Sequence, residues 1–299
     1  MTRLHSVYAG HRGARAGWRV LAFFGLWLGG YFGLLLLAFA LGLPENGGMW
    51  APSRFFPMEA INLAAVVFAT LVMARVERLT IITALKRWGM PLRGRGSDLW
   101  EGLGWGALSM SVLIGSMWLL GGYVVGGWQA VWWQLVGALL MWGLGFMALG
   151  LAEEMLFRAY PLATARQGLR FWPAALVLSV VFSAFHAGKE GENGVDLMGL
   201  VVFGLFACFT VWRTGAIWFA VGFHAAFNFF GLVLYSGPNA GELLPGRLLD
   251  AQFPGPAWLT GGSLGPEASV LVFPLFAAMF GLFHIRHPRA FVTSPTDPA

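Results

Sequence analysis

Apolar residues fall along this chain in eight long blocks, with polar and charged residues gathered in the gaps between them. The blocks cover 20–43, 58–74, 102–125, 131–160, 172–187, 196–212, 216–235 and 268–283. A helix apolar all round is buried in a large core or spans a membrane. Each block is long enough, or nearly so, to cross a hydrocarbon layer of ~30 Å at 1.5 Å per residue. The fifth and eighth are the shortest. The pattern predicts an all-α fold: a polytopic membrane helix bundle of about eight transmembrane helices, built as a single integral-membrane domain over 1–299 without an internal repeat. The first block contains an A-x-A pattern at Ala38 and Ala40, as a signal-peptide cleavage site would. It is longer than the ~7–15 residues of a signal h-region, so we read it as a retained spanning helix.

The gaps carry their own signals. Residues 44–57 form a Pro/Gly loop, and 75–101 form the most basic loop, in which Asp98 and Glu101 have capping-box spacing and mark a helix start. Residues 126–130 read as an uncharged turn, 167–171 as a basic connection, 188–195 as a short acidic-polar loop and 213–215 as a tight turn. The long Gly/Pro segment 236–267 shows no helical periodicity, and 290–299 reads as a disordered tail.

Composition agrees with a membrane protein. The 299 residues are 58% hydrophobic and 11% charged, against ~45–50% and ~25% in a soluble domain. The net charge of +5 does not point to nucleic acid, because the basic residues sit beside apolar blocks. With the N-terminus in the cytoplasm, Lys and Arg fall inside except for Arg54, Lys189 and Arg247. The positive-inside rule therefore places both termini in the cytoplasm and predicts a multi-pass protein of the cell membrane. Trp132, Trp133 and Trp172 read as interfacial anchors. A single cysteine, Cys208, excludes an internal disulfide and a cysteine metal cluster.

Charged residues inside the blocks are costly and mark function by default. The fourth block carries Glu153, Glu154 and Arg158, the fifth His186 with Phe182 one turn earlier, and the seventh His224 and Asn228. Residues four apart share a helix face, so Glu154 can pair with Arg158 while Glu153, turned by about 100°, points elsewhere. If the fourth helix continues to Arg166, Glu153 lies ~20 Å from the cytoplasmic surface, His186 ~21 Å, His224 ~15 Å and Asn228 ~21 Å. Three helices thus deliver polar groups to similar depth. A carboxylate in an apolar site is a better general base than one in water. A histidine can orient or shuttle the proton of a water, and a second histidine with an asparagine can donate to an oxyanion. Taken singly, His186 reads as a packing residue, Asn228 as interhelical glue and Arg158 as structural support. His284 and His287 read as interfacial charges, and nothing is assigned to His5 or His11.

These residues carry a resemblance. Glu153-Glu-Met-Leu-Phe-Arg158 is similar to the E-E-x-x-x-R motif of the CAAX-protease and bacteriocin-processing (CPBP, or Abi) intramembrane proteases. Phe182-Ser-Ala-Phe-His186 resembles the family's F-x-x-x-H motif, and His224-Ala-Ala-Phe-Asn228 its H-x-x-x-N motif. The three occur in family order across catalytic helices at 131–235. Ala159 departs from the glycine that many members carry after the arginine. The resemblance implies an eight-helix fold and an intramembrane endopeptidase acting on a membrane-associated protein or peptide. Glu153 would activate water with His186, Glu154 would support, and His224 and Asn228 would form the oxyanion hole, with Arg158 and Phe182 in structural roles. No cofactor is expected. One zinc ion on Glu153, His186 and His224 is the alternative, although the H-E-x-x-H helix motif is absent. Two other classes compete: a non-catalytic immunity or scaffold factor of the same fold, and a proton-coupled transporter.

Overall fold

A computed structural model describes residues 12–42, 48, 50–129, 131–188 and 191–288. The tail at 290–299, together with His5, His11 and Lys189, lies outside the described residues. The chain folds into α1 (Arg12–Ala40), α2 (Pro52–Val76), a short α3 (Ile81–Arg87) and α4 (Gly96–Leu119). Strand β1 (Val124–Trp128), α5 (Trp132–Arg158), α6 (Tyr160–Leu169), α7 (Phe171–Phe185), α8 (Gly194–Thr214) and α9 (Trp218–Asn228) follow. A π-helical turn at Phe229–Leu234 extends α9, and strand β2 (Leu249–Gln252), a one-turn α10 (Ala257–Thr260) and α11 (Val272–Arg286) complete the order. Each of the eight apolar blocks lies on a helix. Among the described residues, five helical stretches are long and apolar enough to cross a membrane; those beginning at Phe171, Trp218 and Val272 are shorter.

The fourth block differs from its expected form. One continuous helix to Arg166 is replaced by two, α5 and α6, interrupted at Ala159. Pro161 has no N–H to continue the ladder, and its ring clashes with a preceding turn. Tyr160 sits at the break, stacked on Phe23 with ring centroids 5.1 Å apart and edge-on to Trp88 at 4.7 Å. The basic connection expected at 167–171 shrinks to Arg170 between α6 and α7. Helix α4 begins at Gly96, two residues before Asp98, and its N-cap residue Arg95 makes no side-chain cap. Asp98 pairs instead with Arg95 at 3.1 Å, and Glu101 reaches α11, 3.3 Å from Arg286 and 3.2 Å from His287. His284 contacts Arg213 nearby.

The residues 126–130, expected to turn, belong largely to β1. It pairs antiparallel with β2, Val124 opposite Gln252 and Trp128 opposite Leu249. Sequence periodicity could not show this ribbon, because its two strands are short and lie about 120 residues apart.

The closest packing is between α4 and α9, which run parallel: Gly102 faces Phe219 and Gly106 faces Phe223. A Cβ at Gly102 would stand 2.1 Å from the Phe219 carbonyl oxygen, and one at Gly106 would stand 2.3 Å from that of Phe223. In return, a Cβ on Gly222 would meet the Leu99 carbonyl oxygen at 2.2 Å. Lipid tails are as apolar as leucine, so helices associate in a membrane through close packing and buried polar contacts. Glycine on both helices lets backbone meet backbone. Around this seam, phenylalanines of α8, α9 and α11 interlock, with Phe219 edge-on to Phe283 at 4.7 Å and Phe206 against Phe276 at 5.7 Å.

Replacing Gly102 or Gly222 by leucine should force the two helices apart and cost at least about 3 kcal/mol, the upper range for overpacking. Gly104, also on α4, has open space around it. In detergent, thermal unfolding should show a large loss for Gly102→Leu and a small change for Gly104→Leu. Equal losses would contradict the seam.

Candidate active site

Three helices meet where the motifs converge. α5 approaches α9 at Gly150, whose missing Cβ would stand 3.2 Å from the Val221 carbonyl oxygen and 3.5 Å from the His224 Cβ. One turn further along α5 come the two glutamates. Their side chains diverge, as the rotation per residue requires. Glu154 turns into the protein and is fully buried. Its Oε1 accepts from Arg158 Nη1 at 3.3 Å, the contact expected of residues four apart, and lies 2.9 Å from His224 Nδ1. Arg158 is also buried, with its guanidinium 4.5 Å over the Phe182 ring. A buried carboxylate without such partners would be strongly destabilising.

Glu153 faces a cavity instead, its side chain 16% exposed. Its Oε2 lies 3.8 Å from His186 Nε2 and 3.7 Å from His224 Nε2, and it has no hydrogen-bond partner within the protein. Both separations exceed a direct hydrogen bond and suit a small bridging group.

The other nitrogen of each imidazole is already engaged. His186 is the C-cap residue of α7, one position past the helical run; its Nδ1 lies 2.9 Å from the Phe182 carbonyl oxygen. A carbonyl only accepts, so Nδ1 carries the hydrogen and Nε2 is turned to the cavity. In His224, Nδ1 donates to Glu154 and Nε2 likewise faces Glu153. Asn228 ends α9 one turn beyond His224 and lines the same cavity. Phe182 packs against the His186 ring in a tilted arrangement, with centroids 4.4 Å apart. All seven residues singled out from the sequence thus lie in or beside one cavity of about 190 Å³.

Residues from outside the motifs complete the walls. Trp50, Phe55 and Glu59 come from the N-terminal end of α2 and the turn before it, Leu200 and Phe203 from α8, and Asn239 and Glu267 from the long loop. Glu59 is the residue that sequence reasoning missed. It stands second in the apolar block 58–74. The rule that singled out Glu153 applies equally to a carboxylate there.

Among the described residues, no group of three His, Cys, Asp or Glu side chains is placed to hold a metal ion. Glu153, His186 and His224 are close, but they do not close around a common centre in this arrangement.

Residues 134–230 match the family model of type II CAAX prenyl endopeptidase Rce1-like proteins. That segment holds the three motifs and omits α2. No curated protein and no solved structure matches the chain. The match, the three motifs inside it and the membrane-capable helices around them support an assignment to the CAAX-protease (CPBP) family.

Proposed function

We propose that this protein is an intramembrane endopeptidase that hydrolyses a peptide bond of a membrane-associated protein or peptide, with Glu153 as the base that activates water. The observation that carries this reading is the convergence of Glu153, His186, His224 and Asn228 on one cavity, with Glu153 held between two imidazole Nε2 atoms. A water lodged between Glu153 and His186 gives its proton to the carboxylate as its oxygen attacks the scissile carbonyl carbon. The carbonyl π electrons move to oxygen, and that oxyanion accepts from His224 Nε2 and the Asn228 amide. Collapse of the intermediate breaks the C–N bond, and the proton held by Glu153 passes to the departing amine. Hydrogen-bond donors aimed at a developing oxyanion are commonly the largest catalytic contribution.

The contacts also define supporting roles. Glu154 accepts a hydrogen bond from His224 Nδ1–H, so a second hydrogen on Nε2 makes that ring a cation, the form in which it acts as an oxyanion donor. Arg158 balances the Glu154 charge, and Phe182 seats both Arg158 and the His186 ring. No step in this mechanism requires a metal. Zinc on Glu153, His186 and His224 is the alternative reaction that these residue types would allow.

The same reading has eight crossings, both termini in the cytoplasm and the loop between α9 and α11 outside. The placement of arginines and lysines supports it. The lone cysteine, Cys208, is buried, so single-cysteine labelling is clean. Cysteine at Glu242 in the outer loop should react with an impermeant thiol reagent on intact cells. Cysteine at Arg87 in α3 should react only after the cells are opened. The reverse pattern would overturn the orientation.

Glu153→Gln keeps the shape and removes the base. It should abolish cleavage in membranes without changing the thermal unfolding of the purified protein. Asn228→Ala should cleave about 10²–10³-fold more slowly, the usual cost of one oxyanion donor. Normal cleavage by Glu153→Gln would refute the assignment of the base.

Elemental analysis separates the two mechanisms. A water-activating glutamate site should purify without stoichiometric zinc, and His224→Gln should keep measurable activity through its remaining amide donor. A zinc site should hold one metal per chain and lose it, with nearly all activity, in His224→Gln.

A further inference from the structure

Glu59 is anchored in a way that the three motifs do not explain. Trp27 Nε1 on α1 donates to Asn62 Oδ1 on α2 at 3.0 Å. An indole N–H only donates, so the Asn62 oxygen faces Trp27 and its NH₂ is turned away. Asn62 lies within hydrogen-bonding reach of the Glu59 side chain, one turn earlier on the same helix. The indole and the amide thus fix one side of the Glu59 carboxylate. Its Oε2 is buried and has no hydrogen-bond partner, and Glu59 forms part of the cavity wall with Glu153 and His224. Its electrostatic partners across the cavity are those two residues.

Among the described residues, the cavity lining carries Glu59, Glu153 and Glu267 but no lysine or arginine. Glu154 has Arg158 as its counter-ion; Glu59 shares its cavity with a second carboxylate. Two carboxylates facing one apolar cavity disfavour the doubly ionised state, and a cation placed between them favours it by relieving the repulsion. The apolar lining of the same cavity includes Trp50, Phe55, Phe203 and Leu232. Such a surface suits the aliphatic stem of a lysine or arginine, whose charged head seeks a polar partner at the end of the stem.

We propose that Glu59 is a specificity-determining residue, whose carboxylate receives the ammonium or guanidinium of a lysine or arginine close to the scissile bond of the substrate. The proposal rests on the endopeptidase reading above and adds a substrate class to it: peptides carrying a basic side chain near the cleavage point inside an otherwise apolar segment. Neither the Rce1-like match at 134–230 nor the motifs include this residue.

The test uses purified full-length protein in detergent and a set of apolar peptides. A single lysine or its uncharged counterpart norleucine is walked through the positions on either side of the peptide centre, and cleavage is read by mass spectrometry. At one position, wild type should cleave the lysine peptide at least about tenfold more efficiently in kcat/KM than the norleucine peptide, a discrimination within the range of a polar specificity contact. Glu59→Gln should bring that ratio close to one. Glu59→Asp, which keeps the charge, should retain a preference for lysine, and it carries the test if Glu59→Gln fails to fold. A wild-type ratio near one at every position would overturn the inference. So would an equal loss for lysine and norleucine peptides in Glu59→Gln, because that is the result of a structural or catalytic role. No cleavage of any peptide by wild type refutes the endopeptidase reading itself and the inference with it. Cleavage without lysine preference removes the inference alone.

Discussion

Glu154 is the residue on which the site depends. Its carboxylate is fully buried and holds Arg158 on its own helix and His224 on another. Charge deep in a bilayer is tolerated where partners and hydrogen bonds surround it. Satisfying Glu154 therefore fixes the rotation of α5 relative to α9, and with it the direction of Glu153. The neighbouring carboxylate points into the cavity because Glu154 points away from it. The His224 ring is held by the same bond, so one buried anion orients two of the groups that line the cavity. Substitution at Glu154 would disturb the site through geometry, without Glu154 touching a substrate.

The helical character and the three motifs were legible because both are written in local sequence. Apolar blocks of spanning length leave few folds open, and a spacing of four places Glu154 beside Arg158, and His224 beside Asn228, on single helix faces. The divergence of Glu153 from Glu154 needed only the rotation per residue. What stayed hidden depends on tertiary packing. The break at Ala159 follows Pro161 and the seating of Tyr160 between Phe23 and Trp88, contacts made with α1 and the segment after α3. His186 lies just past the end of α7 rather than within it. The β1–β2 ribbon joins segments that only the folded chain brings together.

Glu59 belongs to a different category. Its signal was present in the sequence, a carboxylate inside an apolar block, but no second polar residue at motif spacing pointed to the same cavity. Asn62, three residues later, reads from sequence as a helix-packing amide. Only the Trp27 contact fixes which way that amide faces. A residue whose role is set by a partner on another helix is invisible to motif reading, even when its own identity is unusual.

The glycine seam between α4 and α9 has a mechanical consequence. His224 and Asn228 ride on a helix whose backbone lies directly against that of α4, with carbonyl oxygens where side chains would otherwise be. No flexible side chain lies between the two at Gly102, Gly106 or Gly222 to absorb a shift, so α9 behaves as the fixed jaw of the cavity. The opposite wall is built from side chains: Phe55 and Phe56 of α2 rest on the Trp142 ring of α5, and Trp27 of α1 reaches Asn62. Rings and amides can re-seat by rotamer changes where backbones in contact cannot. Accommodation of a bulky ligand therefore falls to the α1–α2 side, and His224 and Asn228 keep their place while it happens.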